Sequence, residues 1–139
     1  MGRLKQVFIA PDKDEYLYAP TEWIGWRFGR EAVIHKEHWE IIVEFAQEKM
    51  PEFGELLEEG SYLDGDFSNW TNDKTDRLYE GLQQLCTLIL KSEPLAPEIK
   101  GEILEDQSPE GHVDMIKTVM TVIEESQRTG EMFDSYMDS

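Results

Sequence analysis

Residues 71–90, TNDKTDRLYEGLQQLCTLIL, place Leu78, Leu82, Leu85 and Ile89 at i, i+4, i+7 and i+11. That spacing puts four apolar side chains on one face of an α-helix. Thr71 or Asn72 can cap its start, and Asp73 and Asp76 complement the positive end of the helix dipole. Gly81 interrupts the run at a cost of about 1 kcal/mol relative to alanine, which predicts that another element packs closely there. Cys86 lies beside Leu82, Leu85 and Ile89. It reads as a small hydrophobe on the same face, with no basic neighbour to activate its thiol.

Toward the C-terminus, Pro94 and Pro97 break the chain, and residues 97–106 (PEIKGEILED) suit a short helix. Ser108-Pro109-Glu110 is a helix start, with a cap residue, a proline at the first position and an acid in the first turn. Val113, Ile116, Met120 and Ile123 form one face, widened by Met115, Val119 and Val122. A face that broad is either deeply buried or shared with a second copy of the chain, so a homo-oligomer through the Val113 to Ile123 face is one expectation. Gly130 ends the helix. In the tail, Met132, Phe133, Tyr136 and Met137 keep helical spacing, which predicts a docked final turn or a frayed end.

Toward the N-terminus, residues 61–70 (SYLDGDFSNW) form a loop with a turn signal at Asp64-Gly65-Asp66. Trp39, Ile42, Val43 and Ala46 define another helix, with Glu40, Glu44, Glu48 and Lys49 on its other side. It should stop near Met50, because Pro51 disfavours helical geometry in the residue before it. Residues 51–59 can form a short helix, with Pro51 in its first turn and Gly60 at its end. Before residue 37 the pattern is that of strands. Residues 4–10 read as one, 22–28 (EWIGWRF) as a second rich in aromatics, and 32–35 as a third beyond a corner at Gly29-Arg30. The expected fold is α+β and mainly helical. Short N-terminal antiparallel strands precede about four helices, packed as one domain over 1–139.

Leu, Ile, Val and Phe make up 34 of the 139 residues, about a quarter, enough for a packed core despite the charge. The chain holds 30 Asp and Glu against 13 Lys and Arg, a net charge of -17. Residues 1–36, the strand-rich aromatic part, carry six bases and five acids, whereas the helical part, 37–139, carries seven and 25. Nucleic acid and anionic lipid should be repelled, since binding them rests on Lys and Arg neutralising phosphates. No apolar run approaches the ~20 residues of a membrane span. The first apolar stretch stops at Ala10 and acids follow, so no secretory signal is expected. Gly2 is followed by Gln6 where myristoylation wants Ser or Thr. The single cysteine excludes an intrachain disulfide and fits a reducing, cytoplasmic setting.

Candidate chemistry is sparse. His35 and His38 are three apart, but His-Lys-Glu-His is not the zinc-protease pattern, and they read as two solvated histidines near a helix start. His112 is distant in sequence. Counting a calcium loop from Asp64 puts Asn69 at the sixth position and Thr75 at the twelfth, where glycine and glutamate are required. No nucleophile elbow, phosphate loop, dinucleotide fingerprint or paired-cysteine motif is present. The expectation is therefore no catalytic residue, no metal and no cofactor.

What stands out is an acidic stretch. Glu52, Glu55, Glu58, Glu59, Asp64 and Asp66 place six acids within 15 residues, without a base among them. Such a patch speeds encounter with a cationic surface and supplies specificity; its alternative is a solvated, solubilising face. Tyr62 and Trp70 flank it as aromatic anchors, although Trp70 can equally staple the following helix. In size, charge, lack of a catalytic motif and the aromatic loop leading into a capped helix at 67–85 (FSNWTNDKTDRLYEGLQQL), the chain resembles the small acidic bacterial immunity proteins of toxin–immunity pairs. The resemblance implies a protein that neutralises a basic macromolecular partner such as a nuclease toxin, and it carries over no residue roles. The residues expected to bind are Glu55, Glu58, Glu59, Tyr62, Asp64, Asp66 and Trp70. Two alternatives stand beside it: an acidic nucleic-acid mimic that inhibits a DNA-binding enzyme, and a small metal-assisted or carboxylate-based enzyme using His35, His38 and nearby acids.

Overall fold

A computed structural model describes residues 4–10, 31–65, 70–92, 108–130 and 133–138. The strand expected at 22–28, its corner at Gly29-Arg30, the helix expected at 97–106, and Asp66 and Met132 lie outside these residues. Among the described residues, strand β1 (Lys5–Ile9) is central in a three-stranded antiparallel sheet. It pairs on one side with β2 (Glu31–His35) and on the other with β3 (Asp134–Asp138). Val7 lies opposite both Val33 and Tyr136, and Phe8 opposite both Ala32 and Ser135. The alternation of a strand then sends Gln6, Phe8, Ala32, Ile34 and Ser135 to one face. On that face Phe8, Ala32 and Ile34 join the main core.

Among the described residues there are four helices: α1 (Lys36–Lys49), α2 (Pro51–Gly60), α3 (Asn72–Leu90) and α4 (Pro109–Thr129). Helices α1 and α4 pack against the strands, α2 packs on α1, and α3 packs on α4 and α2. The expected α+β domain, mainly helical, is the observed one. The start signals act as the sequence implies. Thr71 Oγ1 accepts from the Lys74 N–H at 3.2 Å, and Ser108 Oγ accepts from the Gly111 N–H at 3.0 Å. Gly130 ends α4 in the left-handed region at φ 74°. Helix α1 starts directly from β2, and its first N–H, of Lys36, donates to the Leu4 carbonyl at 3.0 Å. Met50, between α1 and α2, leaves helical geometry at φ -141°, as the proline after it requires.

The α3 face Leu78, Leu82, Leu85 and Ile89 is wholly inside. The broad α4 face is also consumed within the chain, since Val113, Met115, Ile116, Val119, Val122 and Ile123 are all buried. Met120 of the same face is half-buried and packs against that core. The close approach expected at Gly81 is made by Phe53 of α2, whose ring occupies the space a Cβ would need.

The tail departs from expectation. Residues 134–138 form a strand, not a helical turn. Their helical spacing is outweighed by the open edge of β1, whose backbone groups need partners once its residues are buried. Phe133, just before β3, stacks on Phe8 at 6.0 Å and on Trp70 at 6.4 Å, and Phe8 meets the Trp39 ring edge-on at 5.0 Å. The two chain ends are thereby tied to the start of α3 by four rings. Such pairs contribute about 0.5–1.5 kcal/mol each beyond their buried area.

Candidate functional site

Helices α1 and α2 form a hairpin that carries eight glutamates against two lysines. Between them lies an open cleft of about 370 Å³ lined by Glu40, Val43, Glu44, Gln47, Glu58 and Tyr62. It exists because Pro51 turns the chain back on α1. Buried Val43 lies among the polar lining. Gln47 Nε2 donates to Glu58 Oε2 at 2.6 Å across the two helices. Lys36 Nζ pairs with Glu40 Oε1 at 2.6 Å, one turn away on the same helix. The cleft thus gathers three carboxylates with one lysine bound at Glu40.

Tyr62 is 46% exposed. Partial burial raises its hydroxyl above the usual tyrosine range, with Glu40 and Glu58 adding to the effect and Lys36 opposing it. The hydroxyl therefore keeps its proton and can donate. Carboxylates beside an aromatic ring and a hydroxyl suit a cationic side chain, which gains both charge pairing and contact with the ring face.

The other expected residues are divided by the fold. Glu55 is exposed on α2, one turn before Glu58 and Glu59. Glu59 turns toward α3, where both its oxygens receive Lys74 Nζ at 3.2 Å. Trp70 is half-buried: its Nε1 donates to Thr75 Oγ1 at 2.9 Å, its ring lies against Gly60, and Lys74 Nζ sits 5.6 Å from its centre. It acts as the staple of α3, not as a projecting anchor. Asp64 is exposed in a turn where it and Gly65 both take positive φ, 49° and 81°. Asp tolerates that conformation better than most residues. Asp66 lies outside the described residues. The cleft therefore unites Glu58 and Tyr62 with Glu40 and Glu44. The two α1 glutamates were legible from their i, i+4 spacing only as a polar face.

Of the two histidines at the start of α1, His35 is half-buried at the end of β2, and His38 departs from expectation. His38 is not solvated; it is fully buried, and its Nδ1 lies 3.0 Å from Nε2 of His112, also fully buried. Helix packing brings together two rings 74 residues apart. Among the described residues no group of three or more His, Cys, Asp or Glu side chains is placed to hold a metal ion. Burial pushes the Cys86 thiol up, with Lys117 weakly opposing, so it favours the unreactive thiol form. Among the described residues no helix is long and apolar enough to cross a membrane.

One buried acid stands behind the cleft-bearing hairpin. Asp134, 3% exposed, accepts the Gly65 N–H at 3.0 Å and the Ser135 N–H at 2.7 Å on the same oxygen. Burial raises its carboxyl above the ordinary aspartate range; the two N–H donors pull it down, and nearby Asp64 pushes it up. With the folded value above the unfolded one, its stabilising contribution is complete below the unfolded value of about 3.9. That contribution is lost as pH rises through the folded value. Asp134→Asn keeps an acceptor oxygen and removes the buried charge. Urea midpoints should therefore move in favour of the variant, relative to the parent, between pH 3 and pH 7. A shift against the variant over that range would contradict this balance.

Comparison with protein-family models, with curated proteins and with solved structures finds no match to this chain.

Proposed function

We propose that this protein works by binding, not by turnover, and that it neutralises a basic macromolecular partner in the cytoplasm, as an immunity protein neutralises its cognate toxin. The observation that carries the proposal is the α1–α2 cleft, in which Glu40, Glu44 and Glu58 meet beside the Tyr62 hydroxyl. A lysine or arginine from the partner would enter it, opposite carboxylates that only Lys36 and Gln47 engage within the hairpin. The surrounding glutamates would steer the partner in, and the cleft would fix its orientation. Burial of the His38–His112 contact and the raised thiol of Cys86 make these three side chains poor nucleophiles or bases.

The test separates a site from overall charge. Glu44→Lys with Glu58→Lys changes the net charge by the same amount as Glu80→Lys with Asp114→Lys, two exposed acids on α3 and α4. The probe is a fluorescein-labelled deca-lysine peptide, followed by anisotropy and stopped flow. The cleft pair should slow association about tenfold at low salt, and the α3–α4 pair far less, with the difference shrinking as salt screens the charges. Equal effects would show that the peptide reads only net charge and would remove the cleft from the proposal. Expressing the product of the adjacent gene with and without this protein then asks for toxicity, rescue and a co-purifying complex; toxicity without rescue would contradict the immunity role.

A further inference from the structure

The turn that leaves α2 has little secondary structure to hold it, yet its described backbone donors are satisfied from Ser61 to Gly65. Ser61 and Tyr62 donate back to Glu58 and Glu59, closing the helix. The next three N–H groups all go to the C-terminal strand. Leu63 donates to Ser135 Oγ at 3.2 Å, Asp64 to the Ser135 carbonyl at 2.8 Å, and Gly65 to Asp134 Oδ1 at 3.0 Å. Ser135 Oγ in turn donates to the Gly60 carbonyl. Its single hydroxyl thus clamps both ends of a four-residue segment, from Gly60 to Leu63, and is fully buried there. Behind the turn, Gln6 Nε2 donates to the Ser61 carbonyl at 2.7 Å, and Trp39 Nε1 to Ser61 Oγ at 2.9 Å.

We infer that Ser135 is a positioning residue for partner binding: through its hydroxyl and carbonyl, the C-terminal strand holds the Tyr62–Asp64 turn in a preformed recognition conformation. The inference rests on the binding proposed for the cleft, because Tyr62 lines it. Its physical basis is preorganisation. A turn already fixed does not lose conformational freedom when a partner arrives, so more of the contact energy appears as affinity. A free turn would have to bring Asp64 into the left-handed region during binding. Asp134 contributes at the far end of the turn, and the sheet register sets both residues by pairing Ser135 with Phe8 and Asp134 with Ile9. The role is not apparent locally, because Ser135 is more than 70 residues from the turn it holds.

The experiment compares Ser135→Ala with Val119→Ala, a truncation of a buried α4 residue whose side chain makes no hydrogen bond. Amide exchange is read at Leu63, Asp64 and Gly65, and affinity is read with the same labelled deca-lysine peptide. Ser135→Ala should speed exchange at Leu63 and Asp64 roughly tenfold or more beyond the change at buried α3 amides. It should also weaken peptide binding several-fold. Val119→Ala should lower global stability without either local effect. Turn exchange that follows only the global change in Ser135→Ala would overturn the inference, as would loosened exchange with unchanged affinity. Failure of the underlying binding proposal looks different: the Glu44/Glu58 and Glu80/Asp114 reversals would then be equivalent, whatever Ser135→Ala does.

Discussion

Gly54→Ala is expected to destabilise the domain by about 3 kcal/mol, near the upper end for an overpacked site. A Cβ at Gly54 would lie 2.5 Å from the Cα of Gln47, and 2.7 Å from both its N and its Cγ. The Cα and N are backbone atoms of α1, so they cannot rotate aside; the two helices must separate. The helix-propensity gain of alanine over glycine, about 1 kcal/mol, recovers only part of that loss. Gly81 offers the informative contrast. Its added Cβ would lie 2.1 Å from Cδ1 of Phe53, a half-buried side chain that can move. Gly81→Ala should therefore destabilise the parent but stabilise a Phe53→Ala background by up to about 1 kcal/mol, where propensity alone acts. Urea denaturation of the four Phe53/Gly81 combinations and of Gly54→Ala measures all of this. A Gly54→Ala variant as stable as the parent would refute the close contact between α1 and α2. The same contact fixes the width of the acidic cleft, since Gln47 both meets Gly54 and bridges to Glu58.

The contrast between these glycines reflects how much of the fold can be read along the chain. Gly81 is conspicuous because it interrupts the most regular apolar face in the sequence, and a neighbour there is the simplest reason for it. Gly54 lies in a short helix whose pattern does not require a close contact, so its partner appears only once α2 folds back on α1. Helices α3 and α4 were legible in full because caps, periodicity and stops are local signals. Strand β3 was not. Phe133, Tyr136 and Met137 fall at i, i+3 and i+4, and nothing nearby contradicts a helix. Their conformation is decided by the unpaired side of β1, near the other end of the chain. The candidate site divides in the same way. Glu58 and Tyr62 were legible as part of an acidic, aromatic stretch. Glu40 and Glu44 join them only because the Pro51 break brings α2 across α1, while that same packing turns Glu59 to Lys74 and seats Trp70 against Gly60.

The buried histidine pair is the strongest long-range coupling to test, and each single truncation is expected to cost about 3 kcal/mol. His38→Ala removes a fully buried ring from α1, and His112→Ala does so from α4; each leaves a cavity and deprives the other ring of a partner at 3.0 Å. An imidazole-to-imidazole hydrogen bond needs one nitrogen to donate and the other to accept. Its two members therefore act as a unit, and the loss of either removes a hydrogen bond worth about 0.5–1.5 kcal/mol net. The double variant loses that bond once, whereas the two singles lose it twice between them. It should be less destabilised than the sum of the singles by about 1 kcal/mol, since residues in direct contact are not additive. Chemical denaturation of the parent, both singles and the double gives this coupling directly. Val43→Ala with Val119→Ala, two buried residues on the same two helices, controls for a general loosening of the core. If the histidine cycle is additive within about 0.3 kcal/mol, the two rings serve only as filling between α1 and α4. If the coupling appears, a polar contact fixes how the hairpin carrying the cleft seats on the core, because an apolar interface could slide where a paired imidazole cannot.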